Sequence, residues 1–173
     1  MPPSRQIRIR PTNPRKPKRS PPDSFPILFL DFDGVLNTPR TWTRRPVHAR
    51  LESRLVRRVA RICVQSNARI VISSSWRCSH GLEELRGLLA LKGLRRSYVI
   101  DTTRDLQSKR QTEILAWLAE HPECSNYAIL DDDTAGDGEW DALRLRWVRV
   151  DSETGVTDDD VRAALRILSV GDF

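Results

Sequence analysis

The sequence predicts an α/β protein in which a central parallel sheet carries helices on both faces. Three observations predict it. Apolar runs too short for helices recur at 27–30, 69–73, 98–100, 127–130 and 145–150. Segments of helical length separate most of them, and strands alternating with helices are the pattern of parallel sheets. Two of the runs, at 27–30 and 127–130, end abruptly in carboxylates, at the strand ends where open α/β sheets place their sites.

Residues 1–24 (MPPSRQIRIRPTNPRKPKRSPPDS) are rich in Pro and Arg and have no apolar period, so they read as a disordered basic arm. The folded domain is expected over 25–173. Ile27 to Leu30 is apolar throughout, as a strand buried on both faces should be. Residues 34–48 form an irregular loop. Arg50 to Gln65 reads as a helix with Leu51, Leu55, Val59, Ile62 and Cys63 on one face and Arg50, Arg54, Arg57, Arg58 and Arg61 on the other. Arg69 to Ser73 is the second strand, and Leu82 to Leu91 a helix ended by Gly93. Tyr98 to Ile100 is the third strand, followed by a helix from Lys109 to Glu120 that His121-Pro122 stops. Tyr127 to Leu130 and Leu145 to Val150 are the last strands. The final helix is capped by Thr157, begins on three acids that suit its dipole, and has Val161, Ala164, Leu165 and Leu168 on its apolar face.

Charge is divided unevenly. Residues 1–23 hold seven basic side chains against one acid, which accounts for the whole formal charge of +6. Within the remainder, residues 40–110 balance at +12 and residues 111–173 at −10. The basic half contains the entrance to the site expected below, which favours an anionic substrate. No apolar run approaches the length of a membrane span, and the N-terminus has no secretory h-region. Cys63, Cys78 and Cys124 are odd in number and lack CxxC spacing, so no disulfide-linked partner or zinc site is expected, and a reducing, cytoplasmic location is. His48, His80 and His121 have no ligand spacing.

The chemistry concentrates in four segments. In LFLDFDGVLN (28–37) the first strand ends in Asp31 and Asp33, which need a metal, a cation or a shared proton to coexist, and Gly34 allows a sharp turn with backbone N–H groups near an anion. In IVISSSWR (70–77) the second strand ends in hydroxyls: Ser73, with Ser74 as the alternative register, can donate to a phosphate oxygen without adding charge. Arg77 presents the planar fork that suits phosphate. SKRQTEILAWL (108–118) puts Lys109 and Arg110 in a first helical turn, where the dipole disfavours positive charge, and either could serve. YAILDDDTAGD (127–137) ends the fourth strand in Asp131, Asp132 and Asp133, which repel one another unless a cation is present. Asp133 and Asp137 are further candidates, and Asp137 is equally a turn residue.

This order of DxDG, Ser, Lys and paired Asp resembles the haloacid dehalogenase (HAD) superfamily of phosphohydrolases. The words LDFDGVLN, ISSSWR, EILAWL and ILDDD look most like the small HAD domain of Swiss Army Knife RNA-repair proteins, over roughly residues 26–169. A response-regulator receiver, which also has an acidic pair after its first strand, carries its lysine too late to fit. The resemblance implies a HAD-like Rossmannoid three-layer sandwich and an Mg²⁺-dependent phosphatase acting on phosphate monoesters. Asp31 would be the nucleophile that becomes an aspartyl-phosphate, Asp33 the acid and base, Ser73 a phosphate ligand, and Lys109 the cation that steadies the phosphoryl group. Gly34, Ser74, Arg77 and Arg110 would assist substrate binding, and Asp31, Asp33, Asp131 and Asp132 would hold the metal. Segments 34–48 and 101–108 are too short for a cap domain, so the site is expected to be open to large substrates such as RNA or DNA ends. Other readings are a small-metabolite phosphatase and a non-catalytic module that binds nucleic acid or a partner.

Overall fold

A computed structural model describes residues 25–134 and 140–169. The expected basic arm and Asp137 lie outside the described residues. Five strands form one all-parallel sheet: β1 (Ile27–Leu30), β2 (Arg69–Ile72), β3 (Val99–Thr102), β4 (Tyr127–Asp131) and β5 (Trp147–Arg149), in the order β3-β2-β1-β4-β5. Among the described residues four helices connect or flank them: α1 (Ser53–Ser66), α2 (Leu82–Ala90), α3 (Arg110–Glu120) and α4 (Asp158–Ser169).

Side chains of a strand alternate between faces, and here the alternation sorts the core into two halves. Leu28, Leu30, Ile70, Ile72 and Leu130 pack with α1, α2 and α4, whereas Ile27, Phe29, Val71 and Ile129 pack with Ile114 and Trp117 of α3 and with Trp140 and Leu143. The result is three layers, as expected for a Rossmannoid α/β sandwich. The apolar faces read from α1 and α4 meet in the first half, and Arg58 and Arg61 of α1 clasp Asp158 at the start of α4. Thr157 and Asp160 cap α4 reciprocally, each accepting from the other's backbone N–H.

Strand order reverses at β1. The chain builds β2 and β3 to one side, then crosses to β4 and β5 on the other. The carboxyl ends of β1 and β4 therefore flank the topological switch point, where a ligand can enter between diverging loops. The segments after β1 and β3 hold one 3-10 turn (Val47–Ala49) and no strand, so no cap domain stands over this edge among the described residues.

Several boundaries differ from the sequence expectation. α1 begins at Ser53 rather than Arg50, because the 47–49 turn precedes it and Leu51 is buried beneath it. The first two residues expected in the last strand, Leu145 and Arg146, instead close a 3-10 turn at Asp141–Arg146. α3 starts at Arg110, with Lys109 as its extended N-cap residue. That one-residue difference matters in the site.

Candidate active site

β1 and β4 bring their terminal acids together. Asp31 and Asp131 are 6 % and 2 % exposed, and one oxygen from each, with one from Asp132, can lie within 4.8 Å of one another. One Asp31 oxygen accepts the Phe32 N–H at 2.7 Å, and Asp131 accepts the Asp133 N–H at 3.0 Å, which fixes both carboxylates against their own turns.

The positive charge among them comes from Arg110. Its Nη1 lies 3.2 Å from Asp31 Oδ1 and 3.4 Å from Asp131 Oδ2. Because α3 begins at Arg110, this residue reaches the acids while Lys109 occupies the N-cap. The contact expected first of Lys109 thus belongs to the alternative in that register. The single charge of the Arg110 guanidinium does not balance three carboxylates. Burial pushes Asp131 up to about 8, aided by the charge of Asp31 and opposed by Arg110. Burial and Asp31 likewise push Asp132 up to about 6. Asp31 is also raised by burial, against the pull of Arg110, the Phe32 N–H and the Ser74 hydroxyl. Burial opposes the charge on Arg110, but Asp31 and Asp131 hold it protonated. A buried set of hard oxygen donors whose charged forms are disfavoured for want of positive charge fits a divalent cation such as Mg²⁺.

Asp33 is not in that cluster. The chain turns after β1, and its carboxylate accepts from Asn37 Nδ2 at 2.8 Å and from Trp76 Nε1 at 3.0 Å. The carboxylate of Asp33, expected among the metal residues, thus stands outside the three-carboxylate cluster, and two neutral donors orient it beside that cluster. Gly34 has φ +71°, and a Cβ there would stand 2.1 Å from Asp132 Oδ2. Its N–H donates to Asn37 Oδ1 at 2.9 Å, so the turn is closed by Asn37 and that N–H does not point at an anion. The glycine's service to the site is to let Asp132 in.

Ser73 and Ser74 are both fully buried. Ser74 favours the charged form of Asp31 and caps the 3-10 turn Ser75–Cys78 by accepting from the Trp76 N–H. Ser73 Oγ is buried with no partner, a hydroxyl with its bonding capacity unspent. Arg77 is engaged elsewhere than expected. Its guanidinium is buried in an ion pair with Glu113 and donates to the carbonyls of Ser73, Ser74 and Arg104. It ties the end of β2 to α3 rather than offering a fork to substrate. Asp133 accepts from Gln111 and Trp140, outside the ligand cluster.

Sequence reasoning missed Asn37, Trp76 and Glu113. A signal existed for the first two: Asn37 stands four residues after Asp33 in LDFDGVLN, and Trp76 follows the serines directly. The wider pattern is that all five indole N–H groups donate to atoms of the strand ends or the loops after them: Trp42 to Asn37, Trp76 to Asp33, Trp117 to Asp101, Trp140 to Asp133, and Trp147 to the Asp131 carbonyl.

No helix among the described residues is long and apolar enough to cross a membrane. Comparison with known proteins finds no matching curated protein and no matching solved structure. One family model matches, that of the HAD domain in Swiss Army Knife RNA repair proteins, over residues 27–161. This span runs from the first residue of β1 into α4 and includes every site residue named above. With its all-parallel sheet and its acids at the switch point, the chain belongs to the family of HAD domains found in Swiss Army Knife RNA repair proteins.

Proposed function

We propose that the chain is an Mg²⁺-dependent phosphatase that cleaves phosphate monoesters through an aspartyl-phosphate on Asp31, with phosphorylated nucleic-acid ends as its substrates. The observation that carries this reading is the position of Asp31. It is a buried carboxylate at the switch point, with one oxygen held by the Phe32 N–H and the Arg110 guanidinium alongside. That guanidinium can meet the equatorial oxygens of a phosphoryl group arriving at Asp31.

In the first step an Asp31 oxygen attacks phosphorus, the ester P–O bond breaks, and Asp33 gives its proton to the departing alkoxide. In the second, Asp33 takes a proton from water as that water attacks the phosphorus of the acyl phosphate. Inorganic phosphate leaves and Asp31 is restored. Asn37 and Trp76 hold Asp33 in one orientation for both transfers. The buried Ser73 hydroxyl supplies a neutral donor beside the transferring group. Asp31, Asp131 and Asp132 would hold Mg²⁺, whose charge would stabilise that group.

The open edge supports a large substrate over a small metabolite, since no cap encloses the site among the described residues. The test is hydrolysis of p-nitrophenyl phosphate beside 5′- and 3′-phosphorylated oligonucleotides and a metabolite panel. Turnover that needs Mg²⁺, stops in EDTA and falls to background in Asp31→Asn is expected, with oligonucleotides preferred. A protein that binds oligonucleotides and hydrolyses nothing would be a non-catalytic module.

A further inference from the structure

The loop between β1 and α1 carries a feature that the chemistry above does not use. Trp42 is 43 % exposed, whereas Trp76, Trp117 and Trp140 are each below 10 %. It is nevertheless anchored. Its Nε1 donates to Asn37 Oδ1 at 2.9 Å, and the same Asn37 holds Asp33 through Nδ2 at 2.8 Å. One side chain therefore separates this indole from the proposed proton donor. Arg40, Arg44 and Arg45, each within three residues of it in the chain, are exposed. Residues 40–61 hold eight arginines and one acid, Glu52, which is already engaged by Thr38 and Arg54. Arg58 and Arg61 of α1 are taken up by Asp158, whereas the loop's own exposed arginines stand within three residues of Trp42 in the chain.

We propose that this loop is a platform for single-stranded nucleic acid, with a base stacked on Trp42 and the neighbouring backbone phosphates on Arg40, Arg44 and Arg45. An aromatic face interleaved with guanidinium groups matches a chain that offers π-faces and phosphates in alternation. An acidic peptide would use the charges and leave the ring without a partner. The anchored indole loses little freedom on binding, so stacking is not offset by ordering it. The proposal deepens the nucleic-acid reading above and rests on it for which end of the strand enters. The base on Trp42 would belong to the nucleotide at or next to the phosphorylated end, since Asn37 joins the platform to Asp33.

The test is binding rather than turnover, so that it stands apart from the phosphatase reading. Full-length Asp31→Asn protein is titrated with short fluorescent single-stranded RNA and DNA by anisotropy over a range of salt. Adding Trp42→Leu should weaken binding roughly ten-fold or more, the scale of one base stack, while Trp42→Phe, which keeps a ring and loses the N–H, should stay within about three-fold. An abasic strand of the same length should bind the Trp42→Leu protein and its parent alike. Arg40→Gln with Arg44→Gln should flatten the salt dependence by about 0.7 in slope for each phosphate left without its guanidinium. Equal affinity of the Trp42→Leu protein and its parent for the natural strands would overturn the proposal. So would an equal loss for the abasic strand, which would make Trp42 a structural pin for the loop. A wild type that fails to hydrolyse p-nitrophenyl phosphate would refute the phosphatase mechanism and leave this measurement intact.

Discussion

Gly34→Ala should damage the proposed metal site from a position that contributes no ligand. At φ +71° an alanine sits in the left-handed region, at a cost of about 1–2 kcal/mol. Its Cβ would also stand 2.1 Å from Asp132 Oδ2, 2.4 Å from Cγ and 2.9 Å from Cβ. Swinging the Asp132 carboxylate away relieves the first two contacts but not the third, so the β4 loop must move as well. Such overpacking adds about 1–3 kcal/mol, for a total of about 2–5 kcal/mol. Urea denaturation would measure that loss, and a Mg²⁺ titration followed by thermal shift would measure the displacement of Asp132. The variant should fold with a lower urea midpoint and bind Mg²⁺ at least about ten-fold more weakly, the effect of about 1.4 kcal/mol. In an Asp132→Ala background, where only the Cβ contact remains, Gly34→Ala should cost less. Strict additivity of the two substitutions, or an unchanged midpoint and Mg²⁺ affinity in Gly34→Ala, would refute the close approach of Gly34 and Asp132.

Arg110→Gln should lower kcat for p-nitrophenyl phosphate by about a hundred-fold or more, the scale of removing one electrostatic donor from the reacting group, and Lys109→Gln by much less. Equal effects would mean that the two cations share the task. Glu113→Gln should destabilise the protein by about 3–5 kcal/mol, because it leaves Arg77 buried without its counter-charge. A urea midpoint within error of wild type would show that Arg77 finds another anion. The pH dependence follows from Asp131. Its carboxyl is raised to about 8 in the metal-free fold, so its contribution to stability is full below an ordinary carboxylate pKa of about 4 and is lost as pH rises toward 8. The thermal shift produced by Mg²⁺ should therefore grow from pH 5.5 to pH 8.5, and a shift of equal size at both would contradict the raised carboxyl.

The switch-point site is legible in the sequence because its strongest signals are local. A strand buried on both faces must be apolar, so its first carboxylate marks where it reaches the sheet edge, as at Asp31 and Asp131. Less legible is anything decided by one residue of register or by distant partners. Lys109 and Arg110 are chemically alike, and which one reaches Asp31 depends on where α3 takes its first helical residue. Arg77 reads as a phosphate fork until Glu113, thirty-six residues on, is found facing it. Asp33 looks like a ligand because it is an acid two residues from Asp31, yet the Gly34 turn sends it to Asn37 and Trp76. Tryptophan in a sequence signals apolar bulk, and Trp76, Trp117 and Trp140 are buried as that signal suggests. Their N–H groups work at the strand ends, which composition does not reveal.

If Asp31 carries the phosphoryl group, chemical trapping should find it there. Full-length protein in excess over a phosphate monoester, with Mg²⁺, is quenched within a single turnover and treated with borohydride, which reduces an acyl phosphate to an alcohol and leaves free carboxylates alone. Peptide mass spectrometry should then find homoserine at position 31, dependent on substrate and absent when EDTA is present from the start. Reduction at another carboxylate, or phosphate release at full rate from Asp31→Asn, would rule out Asp31 as the phosphoryl carrier.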